Sequence, residues 1–215
     1  MIPVTLKWKK PLRDVVFPEG EIDWKTCDKE DDERRVVPLT DEFEDKKYEI
    51  NLEKPKSVAM ANCKTATDFR TFINRYGFPW NSDHADIWQL MSHAVDMETY
   101  LEACSAQPKE RLEIALRLRE RITIDADIHF SRKTGNPELA LTVSTLFEFM
   151  CLEVLNAYEV GARFQKCERE QCNVGFLTGT GTGRRNTSRF CGQNCRQTKR
   201  RQLMSQQRGK RRVSK

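Results

Sequence analysis

Two close cysteine pairs, Cys167-x4-Cys172 and Cys191-x3-Cys195, stand 18 residues apart near the C-terminal end and constrain this chain more than any other feature. Zinc takes four ligands in a tetrahedron, and thiolates offered from two short turns supply them. The first pair fits a knuckle, with Asn173-Val174-Gly175-Phe176 turning back into a short hairpin. The second pair is one helical turn apart, so both sulfurs can face one side. Cys195 then opens a helix or lies in its first turn, where the macrodipole favours a thiolate. Arg169, Arg189 and Arg196 lie close by in sequence and would offset the negative charge of a tetrathiolate. Four protein ligands leave no open position, so the expected Zn2+ site is structural, with metal binding and folding of the module coupled. Two readings stay beside it: a pair of reduced cysteine pairs in an ordinary core, and an iron–sulfur cluster. The other cysteines, Cys27, Cys63, Cys104 and Cys151, are scattered singly and read as small buried apolar side chains.

The same end of the chain is strongly basic. Residues 1–160 hold 22 Lys+Arg against 30 Asp+Glu, a balance of −8, whereas residues 161–215 hold 15 against 2, a balance of +13. Charge of one sign confined to one end argues for an anionic partner there. After Cys195 come Arg196, Lys199, Arg200 and Arg201, then Arg208, Lys210, Arg211, Arg212 and Lys215, with no acid among them. Arg196, Lys199 or Arg200, and Leu203 follow at helical spacing, so one face can reach a phosphate backbone while Leu203 packs inward. A solvated tail that only aids solubility, or a nuclear-import signal at Lys210-Arg-Arg, are the rival readings of this stretch. Inside the cysteine spacer, Thr178-Gly-Thr-Gly-Thr-Gly-Arg-Arg-Asn-Thr-Ser-Arg189 lacks the Gly-Lys-Ser/Thr ending of a nucleotide-binding loop. It is expected to be flexible, with Arg184, Arg185 and Arg189 widening the positive surface and Asn186, Thr187 and Ser188 offering hydrogen bonds to phosphate or sugar. Phe176 and Phe190 read as the small core of the module.

Phe147-Glu-Phe-Met-Cys-Leu-Glu-Val-Leu, Cys167-Glu-Arg-Glu-Gln-Cys172 and Phe190-Cys191-Gly-Gln-Asn-Cys195-Arg-Gln-Thr-Lys-Arg-Arg201 together resemble the CGNR-type zinc-finger proteins. In that family a helical N-terminal region leads into a C-terminal Cys-x4-Cys…Cys-x3-Cys finger. The resemblance implies a transcription regulator that binds DNA in preference to RNA. It covers about 50 residues; Arg196-Gln197-Thr198 stands where the family has Gly-Asn-Arg.

The rest of the chain reads as α+β: short N-terminal strands, a mainly helical middle, and the small zinc finger with its basic helix. Two domains are expected, 1–160 for a ligand or partner and 161–215 for the metal and the nucleic acid. Strands are expected over Val4–Trp8, Val15–Phe17, Arg35–Leu39 and Lys47–Leu52, with the acidic run Asp28–Glu33 as a solvated loop. Helical periodicity begins near Thr65. Thr67 is a candidate cap, Phe69, Phe72 and Ile73 point inward, and Gly77 ends that helix in the left-handed conformation. Ser82 is a candidate cap for a second helix burying Ile87, Trp88, Met91, Val95, Met97 and Leu101. A third starts near Pro108 and carries Leu112, Ile114, Ala115, Leu116 and Leu118. A fourth is expected from Asn136-Pro137-Glu138 through Leu155, close enough to the cysteines to pack on the metal module.

No stretch approaches the about 18 apolar residues that a membrane span needs, and the N-terminus lacks the order of a secretory signal. The expected setting is therefore cytoplasmic. His84 lies between Asp83 and Asp86, and His129 follows Asp125 and Asp127, but these read as surface residues. No nucleophile elbow, zinc-protease or dinucleotide motif is present, so no enzyme is expected. The reading that results is a DNA-binding regulator whose N-terminal domain senses a ligand, pairs with a second copy or takes a protein partner. The alternative is a protein-interaction or RNA-binding module whose zinc is purely architectural.

Overall fold

The computed structural model describes residues 4–17, 35–130 and 137–213. Strands β1 (Val4–Pro11), β2 (Val15–Val16), β3 (Arg35–Pro38) and β4 (Phe43–Glu49) come first, followed by helices α1 (Lys56–Ala61) and α2 (Ala66–Tyr76). Next are β5 (Ala85–Asp86), α3 (Ile87–Glu102), a 3-10 turn at Ala103–Ser105, and α4 (Pro108–Glu120). The chain continues through β6 (Ile124–Phe130), β7 (Pro137–Val143), α5 (Leu146–Glu159), the β8–β9 hairpin (Arg163–Lys166, Gly175–Thr178) and α6 (Gln193–Val213). The fold class is the expected α+β. One sheet runs β4-β1-β7-β6, with β1 antiparallel to β4 and parallel to β7, and a second runs β2-β3-β5. Cys27, the acidic run Asp28–Glu33, Asn136 and Lys215 lie outside the described residues. No described helix is long and apolar enough to cross a membrane.

The expected fourth helix is the main correction. Its first half is β7, paired antiparallel with β6 from Ile124↔Val143 to Phe130↔Pro137. Leu139, Leu141 and Val143 recur with period two, and Ile124-Asp-Ala-Asp-Ile-His alternates in the same way, which is strand patterning. The helix itself starts only after Thr145. Its side chain accepts from the Glu148 backbone N–H at 3.1 Å while a Glu148 carboxylate oxygen accepts from the Thr145 N–H at 2.9 Å. That reciprocal capping box outweighs the helix-start signal of Pro137.

Other helix ends and faces differ in detail. Thr65, not Thr67, caps α2, with Asp68 returning the bond to the Thr65 N–H at 2.9 Å. Gly77 closes α2 with φ +94° but an extended ψ, so the left-handed conformation expected there is not adopted. Ser82 caps nothing: its hydroxyl accepts from the His84 N–H at 3.3 Å, and α3 starts at Ile87. On α3, Ile87, Leu90, Ala94, Met97 and Leu101 are buried, so a stripe of i, i+3, i+7 spacing faces the core. Trp88 and Val95 fall off that stripe and face solvent, as Leu112 and Leu116 do on α4.

One apolar core joins β1, α2, α3 and α5 and extends to Phe164 of β8 and Leu177 of β9. Its polar centre is Glu153 of α5, fully buried, accepting from the Ser57 N–H at 2.8 Å and from Lys56 Nζ at 3.4 Å. Lys56 Nζ sits 4.7 and 4.8 Å from the Tyr48 and Phe149 ring centres, a cation–π cradle. The β8–β9 hairpin docks chiefly on α1, α3 and the 3-10 turn rather than on α5. Asn62, beyond α1, accepts from the Gly175 N–H at 2.7 Å and donates to its carbonyl at 2.9 Å. Ser105 Oγ donates to the Phe164 carbonyl at 2.9 Å, and Lys166 bridges Glu98 and Glu102 at 2.9 and 3.0 Å.

Candidate metal centre and the basic groove beside it

The hairpin delivers the first cysteine pair. Cys167 follows β8, its N–H donating to the Val174 carbonyl at 3.0 Å, and a tight turn brings the Cys172 N–H to the Arg169 carbonyl at 2.9 Å. The second pair straddles a helix start: Cys191 precedes α6 and Cys195 lies in its first turn. The Glu168 N–H donates to the Arg189 carbonyl at 3.0 Å, stitching the two halves together. Phe176 is buried among the cysteines and Phe190 packs against them, as expected of the module's own core.

All four sulfurs lie within 4.8 Å of one another. Cys172 is 3.6 Å from Cys191 and 3.6 Å from Cys195, and Cys191 is 3.4 Å from Cys195. Those separations exceed the about 2.05 Å of a disulfide. They approach the about 3.8 Å between sulfurs of a tetrahedron with each ligand about 2.3 Å from zinc. The quartet is the one His/Cys/Asp/Glu group among the described residues that could hold a metal ion. The donor set and spacing fit zinc. Cys167, Cys172 and Cys195 are buried and Cys191 is partly so, so an ion held there would have four protein ligands and no room for a substrate.

The thiols need a cation to ionise together. Burial opposes a thiolate at Cys167, but backbone N–H groups of Cys191 and Arg169 and the neighbouring thiols bring it down to about 7. Cys191 is pushed up, by burial first and then by the surrounding sulfurs. A thiolate at Cys167 is thus supported by the protein alone, and Cys191 requires opposite charge beside it to ionise as well. Arg189 supplies little of that charge: it turns to Glu168 at 3.5 Å and is largely exposed.

The glycine-rich segment forms a hydrogen-bonded turn. Gly179, Gly181 and Gly183 all take positive φ, the conformation that favours glycine. The Gly179 N–H donates to the Arg184 carbonyl at 2.9 Å, and the buried Thr182 hydroxyl donates to the Gly179 carbonyl at 2.7 Å. Arg184, expected on the positive surface, is instead part of the module. Its guanidinium lies 5.0 Å from the Phe176 ring centre and donates to the Phe190 carbonyl at 3.3 Å.

Four of the expected basic residues do converge. Arg185 and Arg189 from the loop, and Arg196 and Arg200 from the first two turns of α6, line a groove of about 770 Å³ with Ser188 and Gln197. No acidic side chain lines it. Thr187 is on its wall, but Asn186 is not. Lys199 points away to Glu170 at 3.3 Å, and Arg201 is exposed outside the groove. Arg208, Lys210, Arg211 and Arg212 belong to the continuing α6 backbone; their side chains lie outside the described ones. Leu203, expected to pack inward, is half-exposed. Gln193 and Gln197 were not singled out by sequence, since nothing in a lone glutamine marks it as groove-lining.

The His84 group does not assemble. Asp86 pairs with Arg35 at 3.2 Å, leaving His84 with exposed Asp83 at 2.8 Å, while the side chains of Asp127 and His129 lie outside the described ones. The chain matches no protein-family model, no curated protein and no solved structure.

Proposed function

We propose that this chain is a nucleic-acid-binding protein, with DNA favoured, whose C-terminal module is held by zinc at Cys167, Cys172, Cys191 and Cys195. The groove lined by Arg185, Arg189, Arg196 and Arg200 without an acid carries the reading. Guanidinium groups bind phosphate oxygens in bidentate fashion, and four of them contributed by two segments suit a polyanionic backbone better than a single small anion. Zinc supplies no chemistry here beyond fixing the loop against α6. The likeness of the cysteine spacing to CGNR-type fingers points the same way and is the reason to favour DNA and a regulatory role. In this reading residues 161–215 make the contact, residues 1–160 serve a ligand or partner, no reaction is catalysed, and a reducing intracellular compartment keeps the thiolates available as ligands.

Gel-shift titration of the full zinc-loaded chain with double-stranded DNA, single-stranded DNA and RNA tests this. Expected is binding whose log affinity falls with log salt at a slope of about −3 to −4 for four phosphate contacts. Reversal of Arg196 and Arg200 to Glu should abolish it. Absence of salt-dependent binding to all three polymers by zinc-replete protein would sink the proposal.

A further inference from the structure

A second concave site lies far from the cysteines in sequence and is built of aromatic rings. Trp80, in the loop before β5, stands edge-on to His93 with ring centres 5.1 Å apart, and His93 lies 4.2 Å from Phe147. Trp88, five residues before His93 on α3, is 47% exposed although it is among the largest apolar side chains of the protein. These residues, together with Ser92 and Arg121, line an open, shallow hollow of about 560 Å³.

The walls are fixed in place. The Phe147 N–H donates to the Pro79 carbonyl at 2.7 Å, tying the Trp80 loop to the start of α5. Glu148, the one carboxylate on the wall, is fully used. One of its oxygens accepts from the Thr123 N–H at 3.2 Å, and the other from the Ser144 and Thr145 N–H groups, both at 2.9 Å. Arg121 is only partly used. One terminal nitrogen reaches Asp96 at 3.4 Å, and no other described residue engages the guanidinium. Burial holds His93 below its ordinary value, so the imidazole is neutral near pH 7 and adds no second charge.

Among the described residues, the hollow therefore offers the spare donors of the Arg121 guanidinium and the buried, unpartnered Nδ1 of His93. A carboxylate would meet the donors of Arg121 that Asp96 leaves over, whereas a purely apolar ligand would leave those donors to solvent. We propose that this hollow binds a small planar aromatic carboxylate, its ring against Trp80 and Trp88 and its carboxylate on Arg121. Ring stacking supplies the apolar contact and the planar fork the orientation. The site stands independently of the nucleic-acid reading, because none of its residues touches the basic groove.

Isothermal titration of the full zinc-loaded chain with 1-naphthoate, 1-naphthamide and cyclohexanecarboxylate tests the assignment. Naphthoate should bind saturably with Kd below about 1 mM, and the uncharged and the non-aromatic analogues about tenfold more weakly. Arg121→Gln should weaken naphthoate by about tenfold and leave naphthamide unchanged. Trp88→Ala should weaken both aromatic compounds. Asp96→Asn, which removes the competing carboxylate, should tighten naphthoate, and this variant keeps the test open should Arg121→Gln fold poorly. No saturable heat with naphthoate overturns the proposal, as does an affinity indifferent to Asp96→Asn and to whichever of the other two variants folds.

Discussion

At the scale of single residues, Glu153 and Lys56 set the heaviest electrostatic demand in the fold. Glu153 is fully buried and Lys56 nearly so, yet they lie 97 positions apart in the chain. Removing one partner strands the other in an apolar surrounding, so Glu153→Ala should cost about 3–5 kcal/mol by urea unfolding. Burial outweighs Lys56 and Ser57 and holds the Glu153 carboxyl above its ordinary 4.5. A raised folded-state value means that the folded chain keeps a proton the unfolded chain has lost. The contribution of Glu153 is thus complete below the ordinary carboxylate range and declines as pH rises from 4.5 toward the raised value. Unfolding free energies of Glu153→Gln and the unaltered protein, compared from pH 4 to 8, should shift in favour of the Gln variant as pH rises. A difference constant over that range would remove burial as the dominant influence on this group. The cysteine quartet is the opposite kind of residue-level feature: each pair is local, so spacing announced it. Cys191→Ser should leave the purified protein with less than one equivalent of bound zinc, read by metal analysis.

At the scale of elements, the β8–β9 hairpin connects the core to the cysteine quartet. A Cβ on Gly175 would stand 2.2 Å from the Phe164 ring, a contact that only displacement of the ring can relieve. Phe164 in turn belongs to the main core, so Gly175→Ala should lower stability as an overpacking change, by about 1–3 kcal/mol. Asn62→Ala removes both partners of the Gly175 backbone and should cost about 1–3 kcal/mol for the groups left unpaired. Thermal unfolding of the two variants measures both effects, and hydrogen exchange at the Gly175 amide should accelerate in the second. Legibility at this scale followed the reach of the signal. The first three strands, the start of α4 at Pro108 and the helix bearing Cys195 rest on patterns within a few residues. The β6–β7 pair was misread because Asn136-Pro137-Glu138 is a fair helix start in isolation, whereas its competitor is pairing between strands. Trp88 and Val95 were misassigned for a related reason: the stripe of α3 that faces inward is chosen by what packs on it. Arg184 could not be distinguished from Arg185 by charge alone, and only the position of Phe176 separates a stacked arginine from a free one.

At the scale of the whole molecule, the charge division at residue 160 and the structural division do not coincide. The hairpin that presents Cys167 and Cys172 buries Phe164 and Leu177 in the same core as α3 and α5. The groove, by contrast, depends on segments joined to that core mainly through the cysteines: the loop at 185–190 and the first turns of α6. Metal loss should therefore melt the molecule in part. With a bound metal chelated, the four sulfurs cannot all ionise side by side, and the remaining ties across the module are few: the backbone bond and side-chain ion pair of Glu168 with Arg189, Gln165 to the Asn186 carbonyl, Arg184 to Phe190, and Lys199 to Glu170. Two of these involve exposed charged side chains, each worth about 0–1 kcal/mol for ion pairs of this type. Hydrogen exchange with and without chelator should show protection lost across 185–200 and retained in α2, α3 and α5, with β8 and β9 close to their metal-loaded values. On the proposed function, nucleic-acid retention should fall in parallel, because Arg185 and Arg189 then no longer stand at a fixed distance from Arg196 and Arg200. Global unfolding on chelation would show instead that the metal supports the core. Retention of both protection and binding would show that packing around Phe176 and Phe190 holds the groove without it.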